Sequence, residues 1–255
     1  MKVTALALLL LFASESKTWE FKYRFPKGLV YEEASSRELA METYADARTF
    51  RFKMRSDAKL RRSIVAVDEN QRPTIERVEV LSLTNTVVED PEKKPGTKAD
   101  PAQGQTFVWR RLKERWGLFD QDDSEVTRKY PRLVEKLKNW RDTRLPREKV
   151  AVGGQWEVSA LTFLETSGHA VPEGVDGVAL FTLDAVEKGI ASISFEVLFT
   201  QTVTGTYQSC RYTGTWRFDI EKGRDLSFDM SGELKIDQGR SGKADLAMKR
   251  SVTYR

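Results

Sequence analysis

Residues 145–158 read Leu-Pro-Arg-Glu-Lys-Val-Ala-Val-Gly-Gly-Gln-Trp-Glu-Val, and the character of the chain changes across them. Pro146 cannot continue a helix, because its ring crowds the preceding turn and it has no N–H to donate. Val150 and Val152 take up a two-residue period, Gly153-Gly154 mark a turn, and Trp156 and Val158 open a new strand. The stretch therefore separates a helix from a run of strands.

Upstream, Tyr130, Leu133, Val134, Leu137 and Trp140 recur at helical spacing, with Arg132, Glu135, Lys136, Lys138 and Asn139 opposite them. This predicts an amphipathic helix over residues 130–144, with Pro131 in its first turn and Pro146 beyond its end. Downstream, residues 150–255 read as an antiparallel meander. Ile193, Phe195, Val197 and Phe199 share one face, as do Cys210, Tyr212, Trp216, Phe218 and Ile220. The same alternation places Leu226, Phe228, Met230, Leu234 and Ile236 inward, and likewise Ala244, Leu246, Met248, Val252 and Tyr254, with short turns between the runs. The run from Trp156 to Leu164 reads as a strand and residues 166–176 as a loop.

The N-terminal half, residues 17–129, shows the same period. Trp19, Phe21, Tyr23 and Phe25 alternate with Glu20, Lys22 and Arg24; residues 29–44 read as a long exposed strand; and Phe50, Phe52 and Met54 face inward. Residues 60–67 and 74–88 form a hairpin around Asp-Glu-Asn-Gln-Arg-Pro at 68–73. Residues 89–105 hold three prolines, two glycines and no large apolar side chain, which predicts a mobile surface loop. Strands resume at 107–113 and 116–119. The fold expected is mainly β within an α+β class: one domain over residues 17–255, in which a large curved antiparallel sheet, or an open two-halved barrel, clasps the helix.

Composition bounds the function. The 255 residues are 40% hydrophobic and 31% charged, which is the makeup of a chain with a real core. With 42 basic against 38 acidic residues, dispersed and without a basic cluster interleaved with aromatics, nucleic-acid binding is not indicated. Residues 1–16 carry Lys2, the apolar run from Val3 to Ala13, and then Ser14-Glu15-Ser16, the three-part layout of a secretory signal peptide. The apolar part is too short to span a membrane, so no transmembrane segment is expected in the mature chain, and its location is expected to be periplasmic or extracellular.

Chemistry is sparse. His169, the single histidine, lies in a loop without a Gly-x-Ser-x-Gly partner and reads as a surface residue; Cys210, the single cysteine, faces inward and reads as an inert buried thiol. One of each cannot build a zinc site. Asp120, Asp122, Ser124 and Glu125 offer oxygens at alternate positions, as calcium loops do, but lack the sharp-turn glycine and the distal bidentate glutamate. The preferred reading is that these acids favour the N-terminal end of the following helix, so no metal, cofactor or catalytic residue is assigned. Trp109 and Trp116, flanked by Arg110, Arg111, Lys113 and Arg115, are candidates to line a binding surface.

The export signal, Trp19-x-Phe21, Gly28-x-x-Tyr31, Leu145-Pro146 and Val150-x-Val-Gly-Gly-x-Trp156 together resemble a family of unknown function among exported bacterial β-rich proteins. That resemblance implies export and a β-rich fold, and brings no catalytic residues. The outline is also similar to periplasmic lipoprotein carriers and sensors, whose curved sheets wrap several helices around an apolar cavity. Three functions follow in order of preference: a non-catalytic protein binding an apolar ligand or a partner segment between sheet and helix, a structural or interaction protein of the envelope, and a carboxylate-based hydrolase. The groove expected for the first is lined by Leu133, Leu137 and Trp140 of the helix and by Phe195, Tyr212, Trp216 and Phe228 of the sheet.

If residues 1–16 are an export signal, the protein recovered from the native envelope fraction begins near Lys17. Intact-mass measurement checks this, and a full-length mass contradicts it.

Overall fold

A computed structural model describes residues 17–45, 48–112, 116–130, 133, 141–167, 174–203, 206–238 and 240–254. The N-terminal strands are β1 (Thr18–Trp19), β2 (Val30–Ala45), β3 (Arg48–Val67), β4 (Pro73–Glu89), β5 (Gly96–Ala99), β6 (Thr106–Arg111) and β7 (Trp116–Phe119). Then follow β8 (Val150–Ala151), β9 (Gln155–Ser159), β10 (Asp176–Glu187), β11 (Ile190–Val203), β12 (Thr206–Asp219), β13 (Arg224–Gln238) and β14 (Arg240–Tyr254). Twelve of them form one antiparallel sheet in the order β7-β6-β4-β3-β2-β14-β13-β12-β11-β10-β9, with β5 beside β4, and the sheet does not close into a barrel. β1 and β8 make a separate short ribbon.

The two halves of the chain meet at the seam between β2 and β14, so the first and last long strands lie at the middle of the sheet. One face carries all the core. On β2 it presents Tyr31, Glu33, Leu39 and Met41; on β3, Ile64, Arg62, Leu60, Met54 and Phe52; on β14, Tyr254, Val252, Arg250 and Leu246. The opposite face is charged. There Glu32 pairs with Arg61 in a partly buried contact, and Glu38 pairs with Lys53 and Glu42 with Arg51 in exposed contacts of small energetic weight.

The expected meander is present from β10 to β14. Two inward glycines let its aromatic rings lie flat. Gly214 pairs with Phe195 and Gly232 with Tyr212; a Cβ at either site would collide with the partner ring and with backbone, that of Asp229 on the other neighbouring strand at Gly214 and that of Arg211 at Gly232. The hairpin at 68–73 also forms as read, closed by the Asp68 carboxylate accepting from the N–H groups of Asn70 and Arg72. Residues 29–44 form a strand, but a central one with Tyr31 and Glu33 buried, not an exposed one. The inward run with Phe50, Phe52 and Met54 and the segment 60–67 belong to one continuous strand, β3.

Three expectations are corrected. Trp156 to Leu164 is not one strand: β9 stops at Ser159, whose hydroxyl accepts from the N–H of Thr162 and caps helix α1 (Ala160–Ser167). Ala160, Phe163, Leu164 and Ser167, with Thr166 beside them, are buried, and the first four have a spacing that only a helix turns to one face. Residues 89–105 are not a free loop. β5 pairs with β4, Asp100 and Gly104 donate backbone hydrogen bonds to Leu83 and Val80, and Ala102 is fully buried. Lastly, the segment 20–25 keeps the predicted alternation, with Phe21 and Phe25 buried, but is not part of a ladder.

Of the predicted helix at 130–144, residues 131–132 and 134–140 lie outside the described residues, and Arg141–Arg144 is a turn of 3-10 helix.

Candidate functional site

The sheet side of the predicted groove is a packed core. Phe195, Tyr212, Trp216 and Phe228 are at most 6% exposed and belong to one apolar cluster. Its cover is α1: the Phe163 ring lies 5.3 Å from that of Phe195 and 6.1 Å from that of Phe228, and Phe195 stacks on Phe228 at 5.0 Å. Leu133 lies elsewhere, buried with Phe107, Trp109, Trp116 and Tyr130 against the N-terminal strands. The structure therefore does not bring Leu133 to the four sheet residues, and Leu137 and Trp140 lie outside the described residues. Trp109 and Trp116 likewise line no surface, being 0% and 8% exposed.

What the inner face holds instead is charge. Six charged side chains are buried among the described residues: Arg62, Arg144, Arg250, Glu33, Glu76 and Asp225. Asp225 is the hub. One of its carboxylate oxygens accepts from the Tyr23 hydroxyl at 2.6 Å and the Trp216 indole N–H at 2.9 Å. The other accepts from Arg144 at 2.9 Å and Arg250 at 2.7 Å. Its backbone carbonyl accepts from the Tyr254 hydroxyl at 2.9 Å. The Arg144 guanidinium sits 4.5 Å over the Trp216 ring, and its carbonyl accepts from the Trp156 indole at 2.9 Å.

Asp225 faces inward because of a bulge. Arg217 pairs with Ser227 and Phe218 with Asp225, leaving Leu226 as the extra residue and reversing the faces beyond it. Next to this hub lies its converse. Arg62 pairs with Glu33 at 3.2 Å and Glu76 at 3.3 Å, and stacks 4.3 Å over the Trp109 ring. Glu33 is opposite Val252 and Arg250 opposite Ser35, so the excess negative and excess positive charge occupy diagonal positions across the seam, roughly 7–8 Å apart in such a ladder. The belt as a whole is neutral.

Beyond the belt, toward the hairpin end of β2 and β3, the inner face first turns polar, with Ser35, Arg37, Ser56 and Asn85 at matching register. It then turns apolar and open. Leu39 is opposite Met54, Met41 opposite Phe52 and Thr43 opposite Phe50; Phe50 is 41% exposed, and Leu39, Met41, Phe52 and Met54 are half-buried. No sequence argument singled out this patch, although the period-two reading had put Phe50, Phe52 and Met54 on the inward side.

The remaining candidates resolve individually. Asp120 accepts from the N–H groups of Asp122 and Ser124, Glu125 accepts from the Thr127 hydroxyl, and Asp123 pairs with Arg110. These contacts close the loop between β7 and residue 126, and no group of three metal-ligating side chains occurs among the described residues. His169 lies outside the described residues. Cys210 is buried opposite Phe199 and Leu234, and burial pushes its thiol from 9.0 up to about 11, against a smaller downward pull from Tyr212. Burial likewise raises the Tyr212 phenol. No described helix is long and apolar enough to cross a membrane.

No family model and no curated protein matches the chain. Among solved structures, the improved crystal structure of Pseudomonas aeruginosa OccK1 (OpdK) is 9% identical over 85% of this chain and 66% of its own, with a TM-score of 0.15. The crystal structure of Pseudomonas aeruginosa OpdK with vanillate is 8% identical over 85% of this chain and 67% of its own, again at 0.15. This chain thus spans about two thirds of those proteins, in a superposition too slight to define a shared fold.

Cys210 gives a test of the packing. The thiolate is the reactive form, so a thiol held near 11 is almost entirely unreactive at pH 8. Since the folded value lies above the unfolded 9.0, burial of the thiol favours the fold below pH 9 and loses that contribution as pH rises from there toward 11. A disulfide reagent at pH 8 should label Cys210 only as fast as the protein unfolds, with labelling accelerating across the urea transition. Rapid stoichiometric labelling of the native protein would contradict the packing described.

Proposed function

We propose that this chain is an exported, non-catalytic binding protein, and that an apolar ligand lies on the open inner face of its long strands. The observation that carries this reading is the contiguous patch of Leu39, Met41, Phe50, Phe52 and Met54, large apolar side chains at adjoining register positions on two central strands, half-buried or exposed. Scattered apolar side chains on a surface need no explanation, but a contiguous patch beside a polar band does. The groove first expected between helix and sheet is filled by Phe163, so the ligand surface is moved along the same face toward the strand ends.

The polar band of Ser35, Arg37, Ser56 and Asn85 gives such a ligand a polar end to orient against. A carboxylate-based hydrolase has less support, because each buried carboxylate is engaged by an arginine.

Titration with a dansyl-labelled fatty acid tests the proposal. Saturable binding is expected for the wild type, with a loss of at least about tenfold in Met41→Lys, which places a charge in the patch. Leu198→Lys, a change at an exposed position on the opposite face, should leave binding unchanged. Absence of saturable binding by the wild type, or equal binding by Met41→Lys, would overturn the proposal.

A further inference from the structure

β3 outruns its neighbour. β2 pairs with β3 along its whole length, down to Ala45 opposite Arg48. On the other side, pairing with β4 ends where Lys53 meets Glu89, just after a register shift between Lys53 and Met54. Residues 48–52 therefore have a strand on one flank and, among the described residues, none on the other. The backbone N–H and C=O groups that alternate toward that flank face a cavity of about 470 Å3 lined by Thr49, Phe50, Arg51, Glu89, Asp90 and Pro91.

Of the three charged side chains that line this notch, Glu89 is exposed at its rim and the other two are engaged. Arg51 donates to Glu42 at 3.2 Å, and the Asp90 carboxylate accepts from the N–H groups of Glu92 and Lys93 within its own loop. What the notch offers an incoming group is a row of backbone hydrogen-bonding groups and the exposed Phe50 ring. Only an extended peptide presents donors and acceptors at the matching repeat. Of the devices that blunt an edge, a bulge and a proline lie at the rim, at Lys53 and Pro91, and residues 48–52 carry only charge, from Arg48 and Arg51, which opposes a cationic strand and admits an uncharged one.

We infer that residues 48–52 are a strand-addition site for an extended, uncharged peptide segment of a partner protein, with apolar side chains at alternate positions, one of them packing on Phe50. A second copy of this chain is a poorer occupant. Antiparallel pairing of the edge with itself about Arg51 sets Arg51 opposite Arg51 with Lys53 at the diagonal, and like charges across a ladder repel. The site shares Phe50 with the ligand face but adds the backbone edge of β3 and does not use Met41, which lies across the strand on β2.

The test is fluorescence anisotropy with a labelled, amidated Thr-Val-Thr-Val-Thr-Val peptide and the full chain. Saturable binding is expected, weakened at least about tenfold by N-methylation of alternate peptide bonds, which removes the ladder hydrogen bonds while keeping every side chain. Phe50→Lys, with an unchanged circular dichroism spectrum, should also weaken it, whereas Met41→Lys should retain it and so separate this site from the fatty-acid surface. Equal binding of the N-methylated peptide, no saturable binding, or sedimentation showing that the notch is closed in a dimer would overturn the inference.

Discussion

Six buried charges on the inner face of an open sheet must be matched or the sheet does not form. Taking an ion out of water costs several kcal/mol even after relaxation, and an arginine or carboxylate left without its partner keeps that cost. Asp225 therefore fixes more than itself. Its oxygens hold Tyr23 from the N-terminal segment, Arg144 from the 3-10 turn, Trp216 from β12, and Arg250 and Tyr254 from β14. Those groups are far apart in sequence, and one carboxylate draws them to a single point. The Arg62 cluster does the same for β2, β3 and β4.

The belt also fixes register. A one-residue slip at the seam between β2 and β14 would turn Glu33 or Arg250 to the opposite face and leave its partner buried and unpaired. A two-residue slip would keep the apolar side chains inward, where one buried leucine resembles another, and there the charges decide, because Glu33 and Arg250 would be carried away from their partners. This pins the two halves together at the centre of the sheet, and the aromatic cluster under α1 is laid down on that frame. Beyond the belt, away from the strands β9, β10 and β11 on which α1 packs, β2 and β3 continue with Leu39, Met41, Phe52 and Met54 only half-buried. The division of one face into a clamped part and an open part is the structural basis of the binding proposal.

Much of the frame was legible. The turn at Gly153-Gly154, the hairpin at 68–73 and the alternation from β10 to β14 follow from local rules that tertiary packing did not override. Helix α1 was missed because Ala-Leu-Thr-Phe-Leu-Glu-Thr-Ser contains β-compatible residues directly after a true strand, and Ser159 as a cap was the signal to weigh. Pairing of β5 was missed because ladder formation uses the backbone, which composition does not report. The candidate groove failed for a different reason: periodicity tells which side of a strand faces in, and it placed Phe195, Tyr212, Trp216 and Phe228 correctly inward, but it does not tell what covers them.

The belt itself left a trace in the sequence. Glu33, Arg62 and Arg250 stand in the inward phase of their strands, where an apolar residue is the rule, and such a break in phase marks a buried partner. Asp225 left no such trace, since the bulge at Leu226 moves it inward only once β12 and β13 have paired.

The central claim is that the matched buried charges hold the sheet together, and urea unfolding of Asp225→Ala beside Glu38→Ala tests it most directly. Asp225→Ala strands two buried arginines and should lower the unfolding free energy by about 3–5 kcal/mol, while Glu38→Ala, which breaks an exposed pair with Lys53, should change it by less than about 1 kcal/mol. Similar small losses in both variants would contradict the claim and return the stability of the sheet to its apolar contacts alone.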